Sequence, residues 1–235
     1  MNRVAGKSIL ITGAFGALGA ATAVAAGKAG ARVALVDRAP EAPAGLLESC
    51  GPESTALGGI DLTLPADAAA AVEAAQRHLG SLDVLINIAG AFRWQTVADG
   101  DPATWDLMFA INLKTALNTS RAALPFLRKS AAGRIINIGA NAAIKAAAGM
   151  GAYTASKAGV HRLTESLAEE LKSEGITVNA VLPSVIDTPA NRADMPKADF
   201  STWVTPAALA AVILFLASDE AQPITGALVP VVGRT

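Results

Sequence analysis

Soft metal ligands are scarce in this chain of 235 residues, which holds one cysteine, Cys50, and two histidines, His78 and His161. A lone cysteine excludes a disulfide within the chain and a cysteine-based structural metal site, and two histidines argue against a multi-histidine centre. Charge of one sign is lacking too: Lys and Arg total 19, Asp and Glu 20, a formal net charge of −1. That balance supplies neither the basic surface of a nucleic-acid binder nor a polybasic membrane anchor. Aromatics make up 4% of the chain and charged residues 17%, against 52% hydrophobic residues. The apolar surplus is therefore aliphatic, much of it alanine, and it can build a sizeable core rather than a disordered chain. Long apolar runs are missing as well. Residues 9–27 follow Arg3 and Lys7 as in an export signal, but Gly13, Gly16 and Gly19 interrupt them. Residues 207–217 are too few to span a bilayer. The expectation is a soluble, cytoplasmic protein without a membrane or nucleic-acid partner.

What is present is alternation. Residues 8–12, 32–36, 83–88, 134–138 and 176–182 are short, almost wholly apolar runs, with a weaker one at 55–60 and a last one at 228–232. Helical sequence lies between them at 17–28, 65–79, 102–129, 151–173 and 206–217. Residues 39–51 read mainly as loop, and 183–204 as an irregular segment with three prolines. Strands alternating with helices mean parallel βαβ units, and apolar strands mean a sheet covered on both faces. No linker or repeat divides the chain. The expected fold is α/β, one doubly wound domain over residues 1–235 with a mostly parallel sheet of about seven strands.

The turn after the first strand runs Gly13, Ala14, Phe15, Gly16, Ala17, Leu18, Gly19. Placed between a strand and a helix, its backbone N–H groups and the helix N-terminus can hold a pyrophosphate. Asp37 ends the next strand, 18 residues after Gly19. A carboxylate there accepts hydrogen bonds from ribose hydroxyls and repels a 2′-phosphate, which favours NAD over NADP. Arg38 beside it can stack on adenine or accept a phosphate, so NADP stays open. Glycines alone also make tight turns without ligand; Asp37 is what tips the reading toward a cofactor.

Tyr153 and Lys157 form the second constellation. Four residues apart on a helix, they share a face. An ammonium near a phenol stabilises the phenolate and lowers its pKa, which would make Tyr153 an acid or base near neutral pH. By itself the pair reads more readily as a surface tyrosine and lysine on one helical turn.

Thr12, Gly13 and Gly19, then Asp37, Asp61 and Leu62, Asn87, Ala89 and Gly90, Asn112, Tyr153 and Lys157, and Pro183 follow in an order that resembles the short-chain dehydrogenases/reductases over essentially the whole chain. The resemblance implies a single Rossmann-type domain that binds NAD(H) or NADP(H). It implies that Asp61 and Leu62 sit by adenine and that Asn87, Ala89 and Gly90 line the cofactor trough. Lys157 would hold the nicotinamide ribose and tune Tyr153, and Asn112 would support a water-linked proton relay. Ile186 and Thr188, after Pro183, would meet the nicotinamide carboxamide and phosphates. It also implies a homodimer or homotetramer through the two long helices, acting on a small-molecule substrate.

Departures from the family pattern narrow the reading. The middle glycine of the first turn is Ala17, the second asparagine of the Asn87 motif is Ile88, and Ser184 follows Pro183. The catalytic serine expected thirteen residues before Tyr153 is Ala140. Gly16 to Gly19, Gly139 and Ala140 with Ala142 and Ala143, Gly149 and Met150, and residues 187–203 resemble the quinonoid dihydropteridine reductases. That resemblance implies an acceptor ring that needs less polarisation than a ketone. Asn141 is a candidate for the missing donor. Trp94 or Trp203 could stack on a flat heterocycle or equally pack a loop. Residues 183–204 are the expected substrate-covering segment, with Asn191 and Arg192 ordering it. A carbonyl reductase or alcohol dehydrogenase of the 3-oxoacyl-thioester kind is the alternative, against which Ala140 counts. A non-catalytic dinucleotide sensor is the other alternative, against which Tyr153, Lys157 and Asn112 count.

Overall fold

Side chains alternate along a strand, and here the alternation feeds two cores. In β1 (Ser8–Thr12), Ile9 and Ile11 face one core and Leu10 the other. The same division holds in β2 (Arg32–Val36), where Val33 and Leu35 oppose Ala34 and Val36. A computed structural model describes residues 3–234; residues 1, 2 and 235 of the expected domain lie outside them. The remaining strands are β3 (Thr55–Leu57), β4 (Val84–Asn87), β5 (Arg134–Ile138), β6 (Thr177–Pro183) and β7 (Leu228–Val231). All seven pair in parallel in the order β3-β2-β1-β4-β5-β6-β7. The chain thus forms one doubly wound, Rossmann-type domain. The strand order reverses beside β1, and the crevice at such a switch point is where α/β sheets bind ligands.

Helices α1 (Ala17–Lys28), α2 (Leu46–Cys50) and α8 (Pro206–Leu216) cover the face that receives Ile9. Helices α3 (Pro65–Leu79), α5 (Thr115–Leu127) and α6 (Gly151–Leu171) cover the other. Alanine and glycine let α1 lie close to its neighbours: a Cβ on Gly27 would stand 2.2 Å from the Cys50 carbonyl oxygen. None of the helices among the described residues is long and apolar enough to cross a membrane.

Three stretches differ from the sequence expectation. The loop at 39–51 contains α2, which starts after left-handed Gly45 and ends at Gly51, and buries Leu46 and Cys50 on one side. The helical stretch at 102–129 is broken into α4 (Ala103–Met108), a π-helical turn over Phe109–Lys114, and α5. A π-turn frees backbone groups and turns a residue inward; here that residue is Asn112, 1% exposed. The segment 183–204 is not wholly irregular. It contains α7 (Pro189–Asp194), with Pro189 in its first turn and the Thr188 hydroxyl accepting the Asn191 N–H at 3.2 Å. Its base is closed where Asp187 N–H donates to the Val204 carbonyl at 2.8 Å.

Candidate active site

A cavity of about 800 Å³ opens at the carboxyl ends of β1, β2 and β4. Its walls include the glycine turn except Ala14, with Gly13, Gly16, Ala17, Leu18 and Gly19, and then Asp37, Arg38, Asp61, Leu62, Ala89, Gly90 and Thr188. At Gly13, Gly19 and Gly90 nothing larger fits. Gly13 has φ +63°, and a Cβ on it would stand 2.7 Å from the Ala89 nitrogen. A Cβ on Gly19 would stand 2.1 Å from the Gly13 carbonyl oxygen, and one on Gly90 would meet Asn112 Oδ1 at 2.5 Å. The first turn of α1 carries no acidic residue and no side-chain cap, so its N–H groups are offered to an anion. This cradle fits a dinucleotide.

Asp37 stands at the cavity wall, where its Oδ2 accepts the Phe15 N–H and its Oδ1 the Ala39 N–H, both at 2.9 Å. The carboxylate is thereby locked to the glycine turn. Asp61 accepts from the Thr63 hydroxyl at 2.7 Å and the Thr63 N–H at 3.0 Å. Those bonds, with smaller help from Arg38, hold its pKa below the usual carboxylate value.

A smaller cavity of about 180 Å³ adjoins the first through the shared walls Leu18, Ile88, Gly90 and Ala91. Tyr153, Lys157, Ile138, Gly139, Pro183, Ser184, Ile186 and Phe92 complete it. Tyr153 and Lys157 face it from the first two turns of α6. Lys157 is 5% exposed, and its Nζ donates to the Ile138 carbonyl at 2.7 Å. Burial pulls the lysine down to about 8 and pushes the Tyr153 phenol up to about 12. The expected lowering of the phenol is therefore corrected. Desolvation of a phenolate outweighs the ammonium on the next turn, which is turned to a carbonyl instead.

Other expected site residues are placed differently. Asn87 does not line the trough. Its amide donates to Asn137 Oδ1 at 2.8 Å and Ser120 Oγ at 3.1 Å, and its Oδ1 accepts from Thr119, all in the buried layer between β4, β5 and α5. Asn112 is spent as a staple: Oδ1 accepts the Ala91 N–H at 2.9 Å, and Nδ2 donates to the Ala91 carbonyl at 3.1 Å and Ser156 Oγ at 3.0 Å. Both amide protons are thereby committed, while Oδ1 keeps a second lone pair. Trp203 cannot stack on a substrate, because it is 8% exposed and packs against Phe200 at 4.8 Å. Trp94 is 63% exposed, lines neither cavity, and donates its indole N–H to the Ala148 carbonyl at 3.1 Å. Ala140 is 3% exposed, and its N–H donates to His161 Nε2 at 3.3 Å; Asn141 follows it in a short 3₁₀ turn, and neither lines a cavity. Asn191 and Arg192 do order their segment. Asn191 Nδ2 donates to the Ile186 carbonyl at 2.8 Å, and Arg192 forks onto Asp187 at 2.5 and 2.8 Å with its guanidinium 4.7 Å from the Phe200 ring centre.

Sequence reasoning missed Phe92. It is 49% exposed, lines the small cavity, and meets Tyr153 edge-on at 5.0 Å. The available signal was an aromatic two residues past Gly90 in a chain with few aromatics.

The sequence model of the family described as short chain dehydrogenase matches residues 7–199. The chain belongs to the short-chain dehydrogenase family. It is similar to 2-(S)-hydroxypropyl-CoM dehydrogenase 3 of Xanthobacter autotrophicus, with 33% identity over 249 residues, 99% of this chain and 97% of that protein. It is also 33% identical to the 3-oxoacyl-acyl-carrier-protein reductase FabG of Thermotoga maritima, over 98% of each chain. Among solved structures, carveol dehydrogenase from Mycobacterium avium in complex with NAD superposes with a TM-score of 0.89 at 26% identity, covering 99% of this chain and 98% of that one. This short-chain dehydrogenase is therefore an NAD(P)-dependent oxidoreductase.

The staple at Asn112 has a measurable consequence. Asn112→Ala leaves the buried partners of its amide unpaired and costs about 1–3 kcal/mol of stability. A thermal melt and hydrogen exchange at the Ala91 amide read this out. An unchanged melting temperature with unchanged Ala91 protection contradicts the assignment.

Proposed function

We propose that this short-chain dehydrogenase uses NADH to reduce a small conjugated acceptor of the quinonoid dihydropterin type, with Tyr153 as the proton donor. The dinucleotide supplies the hydride when bound. The turn from Gly13 to Gly19 holds its pyrophosphate, and Asp37 takes the adenosine ribose and repels a 2′-phosphate, while Arg38 leaves NADPH as a weaker ligand. Asp61 and Leu62 flank the adenine, and Ala89 and Gly90 form the trough. Lys157 keeps two ammonium protons beyond the one given to Ile138, enough to hold the nicotinamide ribose. Pro183, Ile186 and Thr188 bound the nicotinamide end, and residues 183–204 cover the substrate. A phenol held near 12 stays protonated at neutral pH, which suits it to donate in the reductive direction.

The observation that carries the substrate class is Ala140. Its buried methyl group stands where a carbonyl reductase of this family needs a hydroxyl. One donor placed on a developing oxyanion is worth roughly 2.7–4 kcal/mol, or about 10²–10³ in turnover. A conjugated ring that already draws electron density does without it. Phe92 beside Tyr153 offers such a ring an aromatic face. A second reading, a carbonyl reductase, is favoured by the relatives named as a 3-oxoacyl-acyl-carrier-protein reductase and a D-beta-hydroxybutyrate dehydrogenase. Turnover per site with NADH decides between them, on quinonoid dihydropterin and on ketones, for the wild type and Ala140→Ser. Pterin turnover well above ketone turnover, little changed by the serine, is expected. Ketone turnover exceeding pterin turnover in the wild type overturns the reading, and NADPH binding as tightly as NADH overturns the role of Asp37.

The assembly reading is a homodimer, or a tetramer built from two such dimers, through the outer faces of α5 and α6. Leu117 on α5 is 44% exposed and Leu107 on α4 39%, while Leu127, Leu167 and Leu171 turn inward to the sheet. A dimer or tetramer mass by light scattering at micromolar concentration is expected; a monomer mass contradicts it.

A further inference from the structure

Helix α6 reaches the end of β5 with two side chains. Lys157 and His161 lie four residues apart on one helix face. Lys157 Nζ donates to the Ile138 carbonyl at 2.7 Å. One turn on, His161 Nε2 accepts the Ala140 N–H at 3.3 Å. Between them, the Gly139 N–H donates to the Val181 carbonyl at 2.9 Å. Three successive residues, of which Ile138 and Gly139 line the small cavity, are each held by a hydrogen bond.

The imidazole also fills space. A Cβ on Gly139 would stand 2.5 Å from His161 Nε2 and 2.7 Å from Cδ2. Ile138 and Gly139 line the small cavity, while the imidazole, 4% exposed, lines neither cavity and so acts behind the wall. With Nε2 as acceptor, the ring is neutral and its proton sits on Nδ1. Burial, and then the charges of Arg162 and Lys157, keep its pKa below the ordinary histidine value. The end of β5 presents Gly139 and Ala140 to the ring, neither of which titrates. Protonation would set an N–H against the Ala140 N–H.

We propose that His161 is a positioning residue for the Tyr153–Lys157 pair: its imidazole fixes the peptide at Ala140 and, through it, the Ile138 carbonyl that anchors Lys157. The inference rests on the reduction proposed above for the effect on turnover. The structural half of the clamp stands apart from it.

The test compares the wild type with His161→Leu, which removes the acceptor, and His161→Gln, which keeps one. It reads NADH binding, turnover of quinonoid dihydropterin from pH 5 to 8, and hydrogen exchange at the Ala140 amide of the NADH complex. His161→Leu is expected to lose about tenfold or more in kcat while its NADH Kd moves little, the cost of a small misplacement at the reacting pair. His161→Gln is expected to recover most of that loss. Wild-type turnover falls as pH drops through the lowered histidine pKa, and this acid limb is absent in His161→Gln. Turnover of a folded, NADH-binding His161→Leu at the wild-type rate overturns the proposal, as does a His161→Gln no better than the leucine variant. If the wild type reduces no substrate, the proposed reaction fails and exchange alone decides. Faster Ala140 exchange in His161→Leu supports the clamp, and unchanged exchange overturns it.

Discussion

Lys157 carries a charged group into a wall of the protein where it is 5% exposed, and the site is arranged around keeping it there. Burying an ammonium is costly unless its protons find acceptors. The Ile138 carbonyl, freed at the end of β5, supplies one at 2.7 Å. That bond ties α6 to the central strands at the point where the first turn of the helix presents Tyr153. The staple from Asn112 to Ser156 and Ala91 holds the same helix from its other flank. Two polar side chains therefore set the gap between α6 and the loop after β4, and that gap is the small cavity.

The same burial decides which ionised forms the site supports. It pulls Lys157 down to about 8, pushes Tyr153 up to about 12, and keeps His161 neutral below its ordinary value. A lysine near 8 is still mostly charged at neutral pH, and a phenol near 12 is wholly protonated. A phenol so held has a proton to give at neutral pH, which is what the proposed reduction asks of Tyr153. On the proposed reading the methyl of Ala140 has the same sense: a substrate that needed no extra donor would leave the proton as the main thing the protein must provide.

Much of the fold was legible because it rests on local rules. Apolar strands between helices implied a parallel sheet covered on both faces, and Pro65 marked the first turn of α3, which runs to Leu79 as expected. The glycine turn, Asp37, Tyr153 and Lys157 were legible because their spacing fixes their geometry. The residues misplaced are those whose role depends on a partner far along the chain. Asn87 read as a cofactor ligand, yet its partners Thr119, Ser120 and Asn137 draw it inward. Trp203 read as a stacking surface, yet the closure of residues 183–204 on themselves buries it against Phe200. The phenol of Tyr153 was assigned the wrong direction of shift because i, i+4 spacing shows proximity to a charge and says nothing of lost solvent.

Tyr153 is the chain's one tyrosine, so phenolate absorbance reports its ionisation without interference from another residue of its kind. The direct measurement is a spectroscopic pH titration of the folded protein without cofactor, with near-ultraviolet circular dichroism recording that the fold persists. Dominance of burial over the Lys157 charge requires no phenolate through pH 10 and a midpoint near 12. A midpoint below the ordinary value of 10 in the folded protein would contradict it and make Tyr153 a base poised by Lys157.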